Sequence, residues 1–142
     1  YYADLNAFLR QHHNPRQRVV VMGDYNIAPE DTDIGIGEDN ARRWLKTGKT
    51  SFLPEERAWF QQLCELGYYD AFRLCHPQEA NLFSWFDYRS KGFEREPRRG
   101  LRIDHLMVTE ALKTGVTGAG IDYDIRSMPK PSDHAPAWIE IK

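Results

Sequence analysis

Val19, Val20, Val21 and Met22 are apolar at consecutive positions, and the run stops at Gly23. A short apolar run without alternation marks a strand covered on both faces. No other feature constrains the fold as much, because it demands a layer on each side of residues 19–22. Asp24 and Asn26 follow at once, so polar groups stand at the mouth of the strand. A second run, Leu101 to Thr109, reads as another buried strand, interrupted by the carboxylate of Asp104. An ionised group inside a buried strand must be paired or used.

The rest of the chain supplies helices to cover such strands. Tyr1, Leu5, Phe8 and Leu9 share one face of a first helix, which Asn14-Pro15 ends. A short helix over 40–46 carries Arg42, Arg43 and Lys46. Pro54 opens a further helix, with Glu55 and Glu56 in its first turn complementing the dipole. Its apolar stripe is Trp59, Phe60, Leu63 and Leu66, and Gly67 is placed to cap it. FSWFDY (83–88) is strand-like, 89–100 is an exposed loop, and a short helix occupies 110–113. A strand near 120–125, a Pro-rich loop and a last strand, AWIEI, complete the chain. Without repeats or a linker, residues 1–142 read as one domain of layered α/β type.

A net charge of −2 excludes a domain that is basic throughout, so any contact with nucleic acid must come from local clusters. One candidate has Trp85, Phe86, Tyr88 and Phe93 interleaved with Arg89, Lys91, Arg95, Arg98 and Arg99. Such a loop can stack on or wedge into a duplex while neutralising phosphates. The alternative is that Trp85 and Phe86 are core residues and the cations solvate the loop. Arg42, Arg43, Lys46 and Lys49 form a second cluster, either a solvated helix face or a phosphate contact. Cys64 and Cys75 lack metal-type spacing and read as reduced thiols of a cytoplasmic protein. No apolar run is long enough for a membrane span and no signal peptide is visible. The opening at Tyr1-Tyr2, inside an apparent helix, suggests a fragment of a longer protein.

Taken singly, an Asp after a strand is usually only a turn residue or helix cap. The combination points further. Asp24 and Asn26 are two apart and in an extended chain project to the same side, where they can hold a water and a phosphate oxygen. Asp133-His134, in a Pro-bracketed loop before the last strand, offers an oxygen ligand for a hard cation and an imidazole for a phosphate. A buried Asp104 can accept a hydrogen bond from that imidazole and fix its tautomer. Oxygen donors with few carboxylates suit magnesium, and no His/Cys grouping has the spacing of a tetrahedral zinc site. The chemistry is metal-assisted hydrolysis of a phosphodiester.

GDYN (23–26), GLRID (100–104) and SDHAP (132–136) resemble three successive signature motifs of the exonuclease III family, in that family's order. DIGIGEDNARRWLKTGKTSFLPEERAWF (33–60) and FSWFDYRSKGF (83–93) are similar to it almost residue by residue. The resemblance implies the C-terminal half of a four-layer α/β sandwich of deoxyribonuclease I type, a mixed sheet with flanking helices. It also implies cleavage of abasic sites and 3′-to-5′ removal of nucleotides from duplex DNA, with magnesium or, in its place, manganese. By the same resemblance Asp24 orients the attacking water, and Asn26 positions Asp24 and a phosphate oxygen. Asp104 pairs with His134, which contacts the scissile phosphate, and Asp133 belongs to the metal site. Trp85, Arg89 and Lys91 lie in a loop like one that enters DNA near the damaged nucleotide.

His105 stands where the family carries an apolar or aromatic residue. As a strand neighbour of Asp104 it should face the opposite layer in a packing role. A metal-binding glutamate, an early asparagine and a phosphate-facing tyrosine belong to the family's N-terminal half. The partners implied are therefore duplex DNA with abasic sites or 3′ ends and that missing half. The complete protein is expected to be a cytoplasmic monomer without a membrane partner, and this chain alone to be inactive or nearly so. Two other readings stay open: a related phosphoesterase acting on a lipid or inositol phosphate, and a non-catalytic DNA-binding fragment.

Overall fold

In the computed structural model, which describes residues 1–142, the second apolar run becomes the central strand. Asp104–Thr109 (β3) lies between Val20–Asp24 (β1) and Tyr68–Asp70 (β2), and both pairings are antiparallel. Alternation along β3 divides two cores. Met107 packs with Leu9, Tyr25, Ile27, Phe60, Leu63 and Tyr68 beneath helices α1 (Tyr2–His12) and α3 (Pro54–Glu65). Val108, on the other face, joins Ala71 and Leu112 against Val116, Ile139 and Ile141. Those last residues belong to a second antiparallel sheet, β4 (Val116–Ile121) with β5 (Ala137–Ile141). The layers therefore run helices, sheet, sheet. Parallel pairing, which a mixed sheet would contain, is confined to an isolated bridge between Ile27 and Ser51. The shorter helices are α2 (Glu38–Thr47), α4 (Ala71–Cys75), α5 (Glu110–Lys113) and α6 (Tyr123–Arg126).

Several sequence expectations change in the folded chain. The inward face of α1 is Tyr2, Leu5, Asn6 and Leu9, whereas Tyr1 and Phe8 are exposed. Asn6 is drawn inside because its side-chain N–H reaches the Trp59 carbonyl at 3.2 Å. The run 19–22 is not covered on both faces along its length. Val20 and Val21 are half-buried in the two cores, but Met22 is 71% exposed on an edge strand. FSWFDY is not a strand: Trp85 makes isolated bridges to Leu101 and His134, and the segment then turns away. The expected strand over 120–125 starts earlier and gives way to α6, which Asp122 caps by accepting the Ile125 N–H at 3.0 Å. Asp104 opens β3 rather than interrupting it.

Helix α3 runs as the sequence predicts, and Gly67 ends it at φ +101° with its N–H on the Cys64 carbonyl. A Cβ at Gly67 would also meet Pro15 Cγ at 2.5 Å, so glycine is demanded twice. Glu56 does more than complement the dipole. Its buried carboxylate accepts the N–H groups of Ser51 and Leu53 at 2.9 and 3.0 Å, tying the 50–53 loop to the helix start.

Candidate active site

The β1–β3 register sets Asp24 opposite Asp104, so the two carboxylates project from the same end of the sheet. His134 arrives on the loop before β5. Its Nδ1 lies 2.8 Å from Asp104 Oδ2, and its Nε2 lies 3.7 Å from Asp24 Oδ2. A carboxylate only accepts, so Nδ1 carries the hydrogen and Nε2 faces the open side. The hydrogen bond to Asp104 raises the imidazole pKa, burial opposes it, and the charges of Asp104, Asp24 and Asp133 add to the rise. The ring thus holds a proton more readily than a free histidine. Asp24, Asp104 and His134 each offer a ligand atom within 4.8 Å of the others. They line a cavity of about 510 Å³.

Asn26 joins the site by a different route from the extended one that its spacing suggests. It adopts φ +54°, and its N–H is taken by Asp24 Oδ1 at 2.8 Å in a tight Asx turn. Its side-chain carbonyl accepts the Ser51 hydroxyl at 3.2 Å. Ser51 is itself buried at φ +109°, held there by the Glu56 carboxylate. Backbone strain of this kind persists only where its surroundings impose it. Nothing in the sequence marks Ser51, because its partner Asn26 is 25 residues away.

Asp133 stands outside the three-residue group. Its Oδ2 accepts the Trp85 indole N–H at 3.2 Å, leaving Oδ1 without a side-chain partner. The question left open for 85–86 resolves residue by residue. Phe86 is core, packed with Phe83, Phe93 and Ala135. Trp85 is half-buried, with its ring 6.4 Å from that of Trp44. Both tryptophans, with Lys49, Asn26, Asp24 and His134, line a cavity of about 350 Å³. Beyond it, a trough of about 480 Å³ is lined by Arg43, Lys49, Arg89, Arg95, Arg99 and Trp85. Arg43 and Lys49 of one cluster therefore share a surface with Arg89, Arg95 and Arg99 of the other, alongside the carboxylate of Asp87. Lys91 is not part of it: it sits exposed in a turn at φ +53°.

His105 is fully buried and faces the helices, as expected. Its ring stands edge-on to Tyr25 and Phe60, and Nε2 donates to the Ile27 carbonyl at 2.7 Å. Burial, and next the Arg102 charge, push its pKa down, so it is neutral. Sequence reading missed the group it touches. Arg102, 1% exposed, bridges Asp33 and Asp70 at 2.7 Å each.

His134 paired with Asp104, with Asp24 on the neighbouring strand, is a set of groups able to act on a phosphoester. The endonuclease/exonuclease/phosphatase family model matches residues 1–134, and the chain belongs to that family. It is 54% identical to exodeoxyribonuclease III of Haemophilus influenzae over the whole chain and 52% of that relative. An AP endonuclease from Archaeoglobus fulgidus superposes with a TM-score of 0.87 at 29% identity, over 99% of this chain and 52% of that one. A 3′ phosphatase from Neisseria, solved with a product DNA hairpin, gives 0.84 at 36% identity, over 100% and 52%. The fold is the deoxyribonuclease I-like one. The chain spans about half the length of these relatives.

Proposed function

We propose that this chain is the His134-bearing portion of a magnesium-dependent DNA-repair nuclease. The whole protein cleaves duplex DNA at abasic sites and trims 3′ ends. The observation that carries the reading is that His134, paired with Asp104, lines an aromatic pocket which shares Trp44, Lys49 and Trp85 with a trough bearing several cations. A phosphodiester seated at His134 Nε2 and Asn26 would place a neighbouring sugar against Trp44 and Trp85, which line the same cavity. It would lay flanking phosphates along Arg43, Arg89 and Arg95. A net charge of −2 makes this local collection of cations the more telling. A small phosphorylated lipid or inositol would leave most of those cations without a partner.

The donor set fits a hard cation. Within the group Asp24, Asp104 and His134, Asp24 supplies oxygen, no thiolate is at hand, and Nδ1 of His134 is already committed to Asp104. Asp24 would hold magnesium or manganese. Asp133, which lies outside that group, would join only as a further oxygen donor, and the remaining ligands would come from outside this chain. Bound there, the cation stabilises charge developing on the phosphate. This chain's own residues do the rest. Asp24 and Asn26 orient the water, and His134, held by Asp104, supplies a proton or hydrogen bond at the phosphate oxygen. Residues 1–142 act as one unit with the remainder of the protein, which works as a cytoplasmic monomer. No helix is long and apolar enough to cross a membrane.

The test is nicking of an abasic duplex with magnesium, by this chain alone and by the complete protein. The complete protein should nick. The chain alone should show little or no cleavage, since a cation that dehydrates reluctantly is held poorly by so few carboxylates, and misplaced groups cost orders of magnitude in rate. A complete protein that leaves abasic DNA intact yet hydrolyses an inositol phosphate would overturn the assignment. Within the same reading, Arg89→Ala should weaken duplex binding and lower the slope of log affinity against log salt by about 1. Because Arg89 is exposed, thermal unfolding should move by less than about 0.5 kcal/mol.

A further inference from the structure

Ser84 stands inside an aromatic run, between Phe83 and Trp85, where neither core packing nor DNA contact calls for a hydroxyl. It is fully buried. Its Oγ accepts two consecutive backbone N–H groups, from Ile103 at 3.0 Å and from Asp104 at 3.1 Å. These fix the chain where β3 begins, at the residue that holds His134. The Ser84 carbonyl meanwhile accepts the Ala135 N–H at 2.8 Å, one residue beyond His134. On the other side of that histidine, Phe86 N–H donates to the Asp133 carbonyl at 2.9 Å. The segment 84–86 is further pinned to Leu101, whose carbonyl takes the N–H groups of both Ser84 and Trp85 at 2.9 Å. One residue thus grips both members of the catalytic pair, Asp104 by its side chain and the His134 loop by its main chain.

We propose that Ser84 is a positioning residue whose hydroxyl sets the Asp104–His134 hydrogen bond. The proposal rests on that pair being the catalytic one. Without Oγ, two buried donors lose their acceptor, and buried polar groups left unpaired force the backbone to move until they find one. The movement begins at Asp104 itself. No ordinary packing role requires an oxygen here, and alanine would fill nearly the same volume. A catalytic hydrogen bond at 2.8 Å leaves little room for such a shift, and misplacement of about 1 Å in catalytic groups can cost 10²-fold in rate.

The experiment uses the complete protein and two readouts. The first is the proton resonance of the His134 Nδ1–H, shifted far downfield by its carboxylate partner and recorded without DNA. The second is steady-state cleavage of abasic duplex. Ser84→Ala should move that resonance upfield and lower kcat by roughly 10²-fold with little change in KM. Ser84→Thr, which keeps the hydroxyl, should restore both. Ser84→Cys, a weak acceptor of similar size, should fall between them and stands in if the alanine variant does not fold. In the unaltered protein the Ile103 and Asp104 amides should resist hydrogen exchange, which needs no variant at all. A folded Ala or Cys variant with the original resonance and kcat overturns the proposal, as do freely exchanging Ile103 and Asp104 amides. Should the unaltered protein fail to cleave abasic DNA, the substrate assignment falls. The resonance and exchange measurements still decide the role of Ser84.

Discussion

His134→Ala in the complete protein is expected to lower the single-turnover rate of abasic-site cleavage by roughly 10²- to 10⁴-fold, the range of a lost acid–base group. Duplex affinity should change far less, because the phosphate contacts proposed along the trough involve other residues. Asp104→Asn is expected to fall in the same range, since the amide no longer holds the Nδ1–H tautomer that points Nε2 at the substrate. The informative measurement is the double variant. Residues that act as a unit are grossly non-additive, so His134→Ala with Asp104→Asn should be little worse than His134→Ala alone. Multiplied losses would show that the two side chains act separately, and the 2.8 Å contact between them would then be structural only.

The pair itself was legible before any coordinates. Asp104 reads as a carboxylate that a buried strand cannot leave unpaired, and His134 is the one imidazole beside a second carboxylate in a Pro-bracketed loop. The supports of the pair were not legible, for a physical reason. Ser84 to Asp104, Trp85 to Asp133 and Ser51 to Asn26 span 20, 48 and 25 residues. Asp104 and His134 are 30 residues apart but are marked by a buried charge and an imidazole in a motif. Ser84, Trp85 and Ser51 fit an ordinary core or loop, and nothing in the sequence says which partner each takes. Asn26 shows the limit most clearly. Its membership of the site follows from the motif, yet the extended geometry used to justify it is replaced by a left-handed turn on Asp24.

Secondary structure failed in places where one local rule was asked to do a tertiary job. Six aromatic-rich residues at 83–88 have strand propensity, but their backbone groups are shared between Leu101 on one side and the loop at 133–135 on the other. No ladder forms. The helical face of α1 is rotated because a polar residue, Asn6, finds a buried carbonyl, which periodicity of apolar residues cannot anticipate. The apolar run at 19–22 lies in the sheet but is only partly buried, because β1 is an edge strand.

Arg102→Met is expected to destabilise the protein by about 3–5 kcal/mol, the cost of removing one partner from a buried ionic group. The guanidinium is 1% exposed and lies over the Phe72 ring at 4.8 Å. Its Nε meets Asp33 Oδ1 and its Nη2 meets Asp70 Oδ2, both at 2.7 Å, while Nη1 donates to His105 Nδ1 at 3.3 Å. Asp33 would keep Arg73, 2.6 Å away, but Asp70 would keep no cation. Burial alone would raise the Asp70 carboxyl. The adjacent Arg102 charge and the Arg102 hydrogen bond outweigh burial and hold it below the usual range. A folded pKa below the unfolded one contributes stability that is present above the unfolded value, about 3.9. That contribution is lost as pH falls through the folded value. In the variant the main opposition to burial is gone and only the Arg73 N–H remains, so the Asp70 carboxyl rises and its protonation relieves the penalty. The gap in urea unfolding free energy between the two proteins should therefore be widest at neutral pH and close as pH drops through the carboxylate range. Asp70→Asn added to Arg102→Met should recover part of the loss at pH 7, because the amide needs no cation. A gap that stays constant with pH, or one below about 1 kcal/mol, would mean that Arg102 fills space rather than balances charge.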